Sequence, residues 1–216
     1  MSLSSETISN SLRPPLLLLA LILASCSGNF KHVKFDSHEK TVYVDDLMSF
    51  RQEKDNFFKT APESPLTSMQ KTTFERLNYY PPNLDLVFHV KLLKNANPKH
   101  IGIEATGGET RPAEEYGRLQ FQIDGKNLEL HVYKMLGDDS NELFVPFTDE
   151  TCGNTSYAGG RYIDMSENHS GEYTLDFNYA YNPYCAYSHN FSCPIVPKEN
   201  HLDVPVKAGE MKFSGQ

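Results

Sequence analysis

The sequence predicts a single mainly-β (α+β) domain, an antiparallel β-sandwich or barrel with one N-terminal helix and a second short helix. Three observations carry this. From residue 84 onward apolar residues recur with a period of two, in short runs at hairpin spacing. An Asp124-Gly125 pair separates two of those runs. Before residue 62 the apolar period is that of a helix instead. Alternation gives each strand one face for a core and one for water, and short strands joined by tight turns build sandwiches or barrels.

Taken in order, Leu47, Phe50, Phe57, Phe58 and Ala61 share one helical face, with Asp45 or Asp46 placed to cap it. Pro62 and Pro65 stop this helix. Thr67 and Gln70 form a capping-box pattern for a short helix through Leu77, ended by Pro81-Pro82. Strands follow at Leu84–Leu92, Ile101–Ala105, Leu119–Ile123 and Leu128–Val132. The Asp124-Gly125 pair between the last two is a hairpin signal, because glycine accepts the positive φ of a tight turn. Two more alternating runs lie at Tyr173–Phe177 and Leu202–Val206.

The N-terminus reads as an address. Leu16 to Ala24 is apolar and uncharged, shorter than the roughly 20 residues that span a bilayer but suited to the core of a secretory leader. It ends in Leu23-Ala24-Ser25-Cys26, the pattern of a bacterial lipobox, in which the cysteine thiol receives lipid. The expected organisation is a signal peptide over 1–25, a polar tether over 26–42 and one globular domain over 43–216. Acyl chains such as palmitate contribute about 0.8 kcal/mol per buried methylene, so two or three anchor a protein firmly. The expected location is therefore the bacterial cell envelope, on the periplasmic face of a membrane rather than the cell surface.

A net charge of −8 disfavours nucleic acid as a partner, since affinity there comes from cations neutralising phosphate. It also disfavours a polybasic membrane patch. With Cys26 acylated, Cys152, Cys185 and Cys193 remain. An oxidising compartment permits a Cys185–Cys193 disulfide, whose short loop would contribute roughly 2.5 kcal/mol. Free thiols, or Cys152 as a partner, are the alternatives. Cys185, His189 and Cys193 together could hold zinc, but no fourth ligand is close by in sequence, so no metal is expected.

Seven of the twelve tyrosines lie between Tyr157 and Tyr187, in a stretch broken by glycine, asparagine and proline. Within it and just before it stand the candidate ligand-binding residues Asp149, Tyr157, Arg161, Asp176, Asn178 and Tyr181. A guanidinium and a carboxylate can grip a ligand's own charged group, or can pin long loops as an internal bridge. The leading expectation is an envelope protein that binds a small ligand or a partner protein through these loops. The alternatives are a hydrolase-like enzyme with Asp149 or Asp176 as general base, and a purely structural component. Ser68-Met69-Gln70-Lys71 matches S-x-x-K but lacks the companion motifs of the serine enzymes that use it. No motif implies a cofactor.

Several segments together resemble the uncharacterised bacterial proteins grouped as domain of unknown function 1684. They include Phe50-Arg51 through Thr60, Gly108-Glu109-Thr110-Arg111-Pro112 and Tyr116-Gly117-Arg118-Leu119-Gln120-Phe121. The densest are Phe144 to Asp149, Tyr157 to Tyr162, and Asp176 to Tyr187, followed by Cys193-Pro194 and Ala208-Gly209-Glu210. The resemblance covers roughly residues 46–213 and implies no substrate or catalytic residue.

Overall fold

The computed structural model describes residues 29–137 and 141–214; Cys26 and the expected leader lie outside them. An antiparallel sheet curls into a half-barrel, and two α-helices accompany it among the described residues. Strands β1 (Phe30–His32), β2 (Val87–Glu104), β3 (Thr110–Ile123), β4 (Lys126–Met135), β5 (Glu142–Asp149) and β6 (Arg161–Ser166) follow one another across the sheet. β7 (Glu172–Asp176) pairs with β2, and β8 (His201–Leu202) runs parallel to β5.

The two alternating runs at 84–92 and 101–105 belong mostly to one strand. A register break between Lys94 and Lys99 bends β2, so its first half pairs with β1 and β7 and its second half mainly with β3. Leu84–Leu86 is a 3-10 turn capped by Asn83, not strand. The β3–β4 hairpin turns where the sequence places it. Asp124 and Gly125 have φ of 50° and 78°, the paired positive values a two-residue hairpin turn needs. Inside the curl, Phe88, Phe121, Phe147 and Phe177 meet edge-on or tilted, with ring centroids 5.3–6.2 Å apart. Such pairs add about 0.5–1.5 kcal/mol to the burial of their area.

Other expectations change too, and the run expected as strand at Leu202–Val206 is strand only over His201–Leu202. The segment 29–42, read as tether, is folded. β1 pairs with β2, and helix α1 runs Ser37–Thr60. Asp36, not Asp45 or Asp46, caps that helix. Its carboxylate accepts from the His38 and Glu39 amides while Glu39 accepts from the Asp36 amide, closing a capping box. Helix α2 is Ser68–Thr73 and stops short of Leu77. Strands β5 and β6 have no counterpart among the alternating runs. Leu143 to Phe147 are buried on both faces, so no period of two is visible there.

Pro146 sits inside β5 and has no N–H to give. β4 and β5 share one backbone pair, Tyr133–Phe144. Beyond it the buried side chain of Asn200 fills the seam. Its Oδ1 accepts from His131 N at 2.8 Å, and its Nδ2 donates to His131 O at 2.9 Å and Pro146 O at 2.6 Å. The amide stands in for a stretch of strand. No helix among the described residues is long and apolar enough to cross a membrane.

Candidate functional site

Of the six residues singled out, two form an internal strut. Arg161 and Asp149 are fully buried, with Nη2 2.8 Å from Oδ2. Nη2 also donates to Val206 O at 2.8 Å, and Nη1 donates to Ala208 O and, at 3.2 Å, to Glu210 O. The other Asp149 oxygen accepts from the Thr151 and Val206 amides. The pair thus binds the segment 206–210 to the sheet. Gly209 makes the bend possible. It has φ +72°, and a Cβ there would lie 2.5 Å from Ala180 O.

Asp176 and Asn178 form a second buried knot. Asp176 accepts from Tyr43 OH at 2.7 Å and from both nitrogens of Asn178. Asn178 in turn bonds Asn83 N and Asn83 O, tying the start of β2 to the end of β7. Burial raises the Asp176 pKa above the usual carboxylate value, partly offset by these donors. Tyr157 is half-buried and packs against the cluster of Phe58, Phe74 and Tyr187. Neither Asp149 nor Asp176 lines either large cleft, so neither is set to act as a general base there.

Tyr181 is different, since it lines one of two clefts flanking α1. This cleft, of about 780 Å³, lies between α1 and the segment 183–194. Its walls carry Phe50, Phe57, Tyr162, Tyr181, Tyr184 and Phe191, with Lys54 and Arg111 as cations and Glu53 as the acid. Lys54 Nζ sits 4.8 Å from the centre of the Tyr181 ring and 2.5 Å from Glu210 Oε1. Glu210 is buried; its Oε2 accepts from Asn182 N and Tyr187 OH. Cys185 and Cys193 form the expected disulfide, Cα–Cα 6.1 Å, closing the segment that carries Phe191. Thr106 fastens that segment to the end of β2, through its backbone N to Cys193 O and its Oγ1 from Cys193 N. Cys152 is a free, half-buried thiol.

The other cleft, of about 760 Å³, lies between α1 and the arm 76–82. Arg51, Arg76, Asp45 and Asp55 supply its charges, and Met48, Leu77 and Pro82 part of its apolar wall. The sequence gives no warning of this cleft except one. Leu47, Arg51, Lys54 and Phe58 share a helical stripe, and two of the four are cations facing inward. The α1 face is accordingly rotated from expectation. Leu47, Arg51 and Phe58 are its buried residues, and Phe50 is 40% exposed at the aromatic cleft. Asp55 accepts from Leu77 N at 2.9 Å and Tyr79 OH at 3.3 Å, and burial raises its pKa. Among the described residues no cluster of three or more histidine, cysteine or acidic side chains is arranged to hold a metal.

The fold and these clefts define a curled-sheet domain whose buried polar struts support two clefts on either side of one helix. The chain belongs to the family described as "Protein of unknown function (DUF1684)", which matches residues 72–211. It is similar to a protein solved in solution by NMR, the uncharacterized protein from gene locus rrnAC0354 of Haloarcula marismortui. The two are 36% identical, the match covers 82% of this chain and 97% of that one, and the TM-score is 0.64. No curated protein matches the sequence.

Proposed function

We propose that this chain is a non-catalytic binding domain of the bacterial envelope, anchored through lipid on Cys26, that takes a small, largely apolar ligand in the aromatic cleft. One observation carries the ligand reading. Phe50, Tyr184 and Phe191 remain 40%, 37% and 36% exposed around a single concavity. Exposed aromatic side chains gathered at one cleft, rather than scattered, mark binding sites. The cleft's volume is in the range of about 300–1,000 Å³ common to small-molecule sites, and such sites pair apolar walls with a few polar groups. Here Lys54 and Arg111 are those groups. Lys54 is held by Glu210 and Arg111 by Glu109 and Ser192 O, so both are pre-positioned.

The location rests on the leader and lipobox of the sequence. Its partner is the membrane itself, on the periplasmic face. The direct tests are two. Cys26→Ser should release the protein from detergent-extracted membranes into the soluble fraction; retention of the variant with its leader uncut overturns the anchor. For the cleft, the probe is a fluorescent dye with an aromatic body and one anionic group, anilinonaphthalene sulfonate. Phe191→Ala should weaken dye binding at least tenfold at unchanged thermal midpoint. Equal binding by the variant and the parent overturns the ligand reading.

A further inference from the structure

The buried cation in the cleft on the opposite side of α1 has no ion-pair partner among the described residues. Arg51 is 4% exposed. Its Nη1 donates to Tyr80 O at 2.9 Å, while Nε and Nη2 are buried and have no hydrogen-bond partner among the described residues. Its guanidinium lies 4.7 Å from the centre of the Tyr79 ring. Burial lowers its pKa, with Tyr79, Tyr43, Glu210 and Asp176 acting against that shift. The two orphaned nitrogens are neighbours on one edge of the guanidinium. That edge presents two parallel N–H donors, which a planar carboxylate accepts with both oxygens. Buried donors are nearly always satisfied, and an unsatisfied charged group carries a large penalty.

The geometry points to a second binding site, in which Arg51 receives the carboxylate of a small monocarboxylic acid with an apolar body. The body would lie along Met48, Leu77, Pro81, Pro82 and Met211, which line the same cleft. Asp45 and Asp55 share the walls and repel a second negative charge, so a monoanion is preferred to a phosphate dianion. Both nitrogens are covered, so the acid reaches them by parting α1 from the arm 76–82. This site and the aromatic cleft use different faces of α1, and the failure of either leaves the other standing.

Benzoate is a suitable probe, with benzamide as its uncharged counterpart and inorganic phosphate as the competing anion. Millimolar benzoate should raise the thermal midpoint of the full protein, with benzamide and phosphate having less effect. Calorimetric titration should give a Kd at least tenfold weaker for Arg51→Lys, which keeps the charge but not the two-donor edge. Arg51→Met, which removes the charge as well, should show the same loss. The proposal is overturned if benzoate leaves the parent's midpoint unchanged. It is equally overturned if benzoate binds both variants as it binds the parent, or if phosphate binds more tightly than benzoate.

Discussion

Among the described residues two arginines are buried, and they are partnered in opposite ways. Arg161 has a carboxylate at 2.8 Å and three backbone carbonyls, with only Nε unpartnered. Arg51 has one carbonyl, no carboxylate within ion-pair distance among the described residues, and a whole donor edge unused. Both lie against aromatic rings, Arg161 with Phe147 at 5.1 Å and Arg51 with Tyr79 at 4.7 Å. Burial and ring contact therefore do not distinguish a strut from a site. The partner list does. A guanidinium saturated by its own chain organises that chain, whereas one left open is organised to meet something else.

Substitution of each arginine tests this contrast most strongly. Arg161→Met strands the Asp149 carboxylate in the interior and should cost about 3–5 kcal/mol in urea unfolding. Gly209→Ala attacks the same strut through its cradle. It should cost about 1–3 kcal/mol, since the added Cβ meets Ala180 O in a backbone conformation that suits glycine. Arg51→Met should change stability by no more than about 1 kcal/mol, because losing one hydrogen bond is offset by removing an uncompensated charge. A loss comparable to that of Arg161→Met would erase the distinction.

The smallest effect is one of pH. The Asp176 pKa is raised in the folded state from its ordinary 3.8, so the folded chain binds its proton more readily than the unfolded chain does. Stability contributed by that proton is present in acid and is lost as pH rises from about 3.8 through the folded value. Asp176→Asn lacks this titration. The parent should therefore lose stability relative to the variant between pH 3.5 and pH 7. A constant difference across that range would show that the carboxylate is not perturbed.

The hairpin at Asp124-Gly125 and the alternation of β3 and β4 were legible because one face of each is wet. β5 was not, because Leu143 to Phe147 are dry on both sides and carry a proline. The start of α1 was hidden in a polar stretch without apolar period, although Asp36 and Glu39 stand at capping-box spacing. Arg161 and an aspartate were legible as a bridge, but the choice of Asp149 over Asp176 depends on where the sheet curls. Tyr181 was placed at a cleft by its loop. Arg51 is legible only as one of the two cations, with Lys54, in the stripe Leu47, Arg51, Lys54, Phe58, and such cations look like a solvated face until the arm 76–82 is seen to cover Arg51.

The amide of Asn200 has a consequence for how the chain is made. Synthesis delivers residues in order from the N-terminus, so β2, β3 and β4 can zip together while β5 and β6 are still emerging. The two halves then share one backbone pair, and the side chain that stitches the seam arrives more than fifty residues after Pro146. Until it does, the backbone groups of His131 and Pro146 along the seam lack that partner, and a nascent chain released before that point carries an unsealed edge.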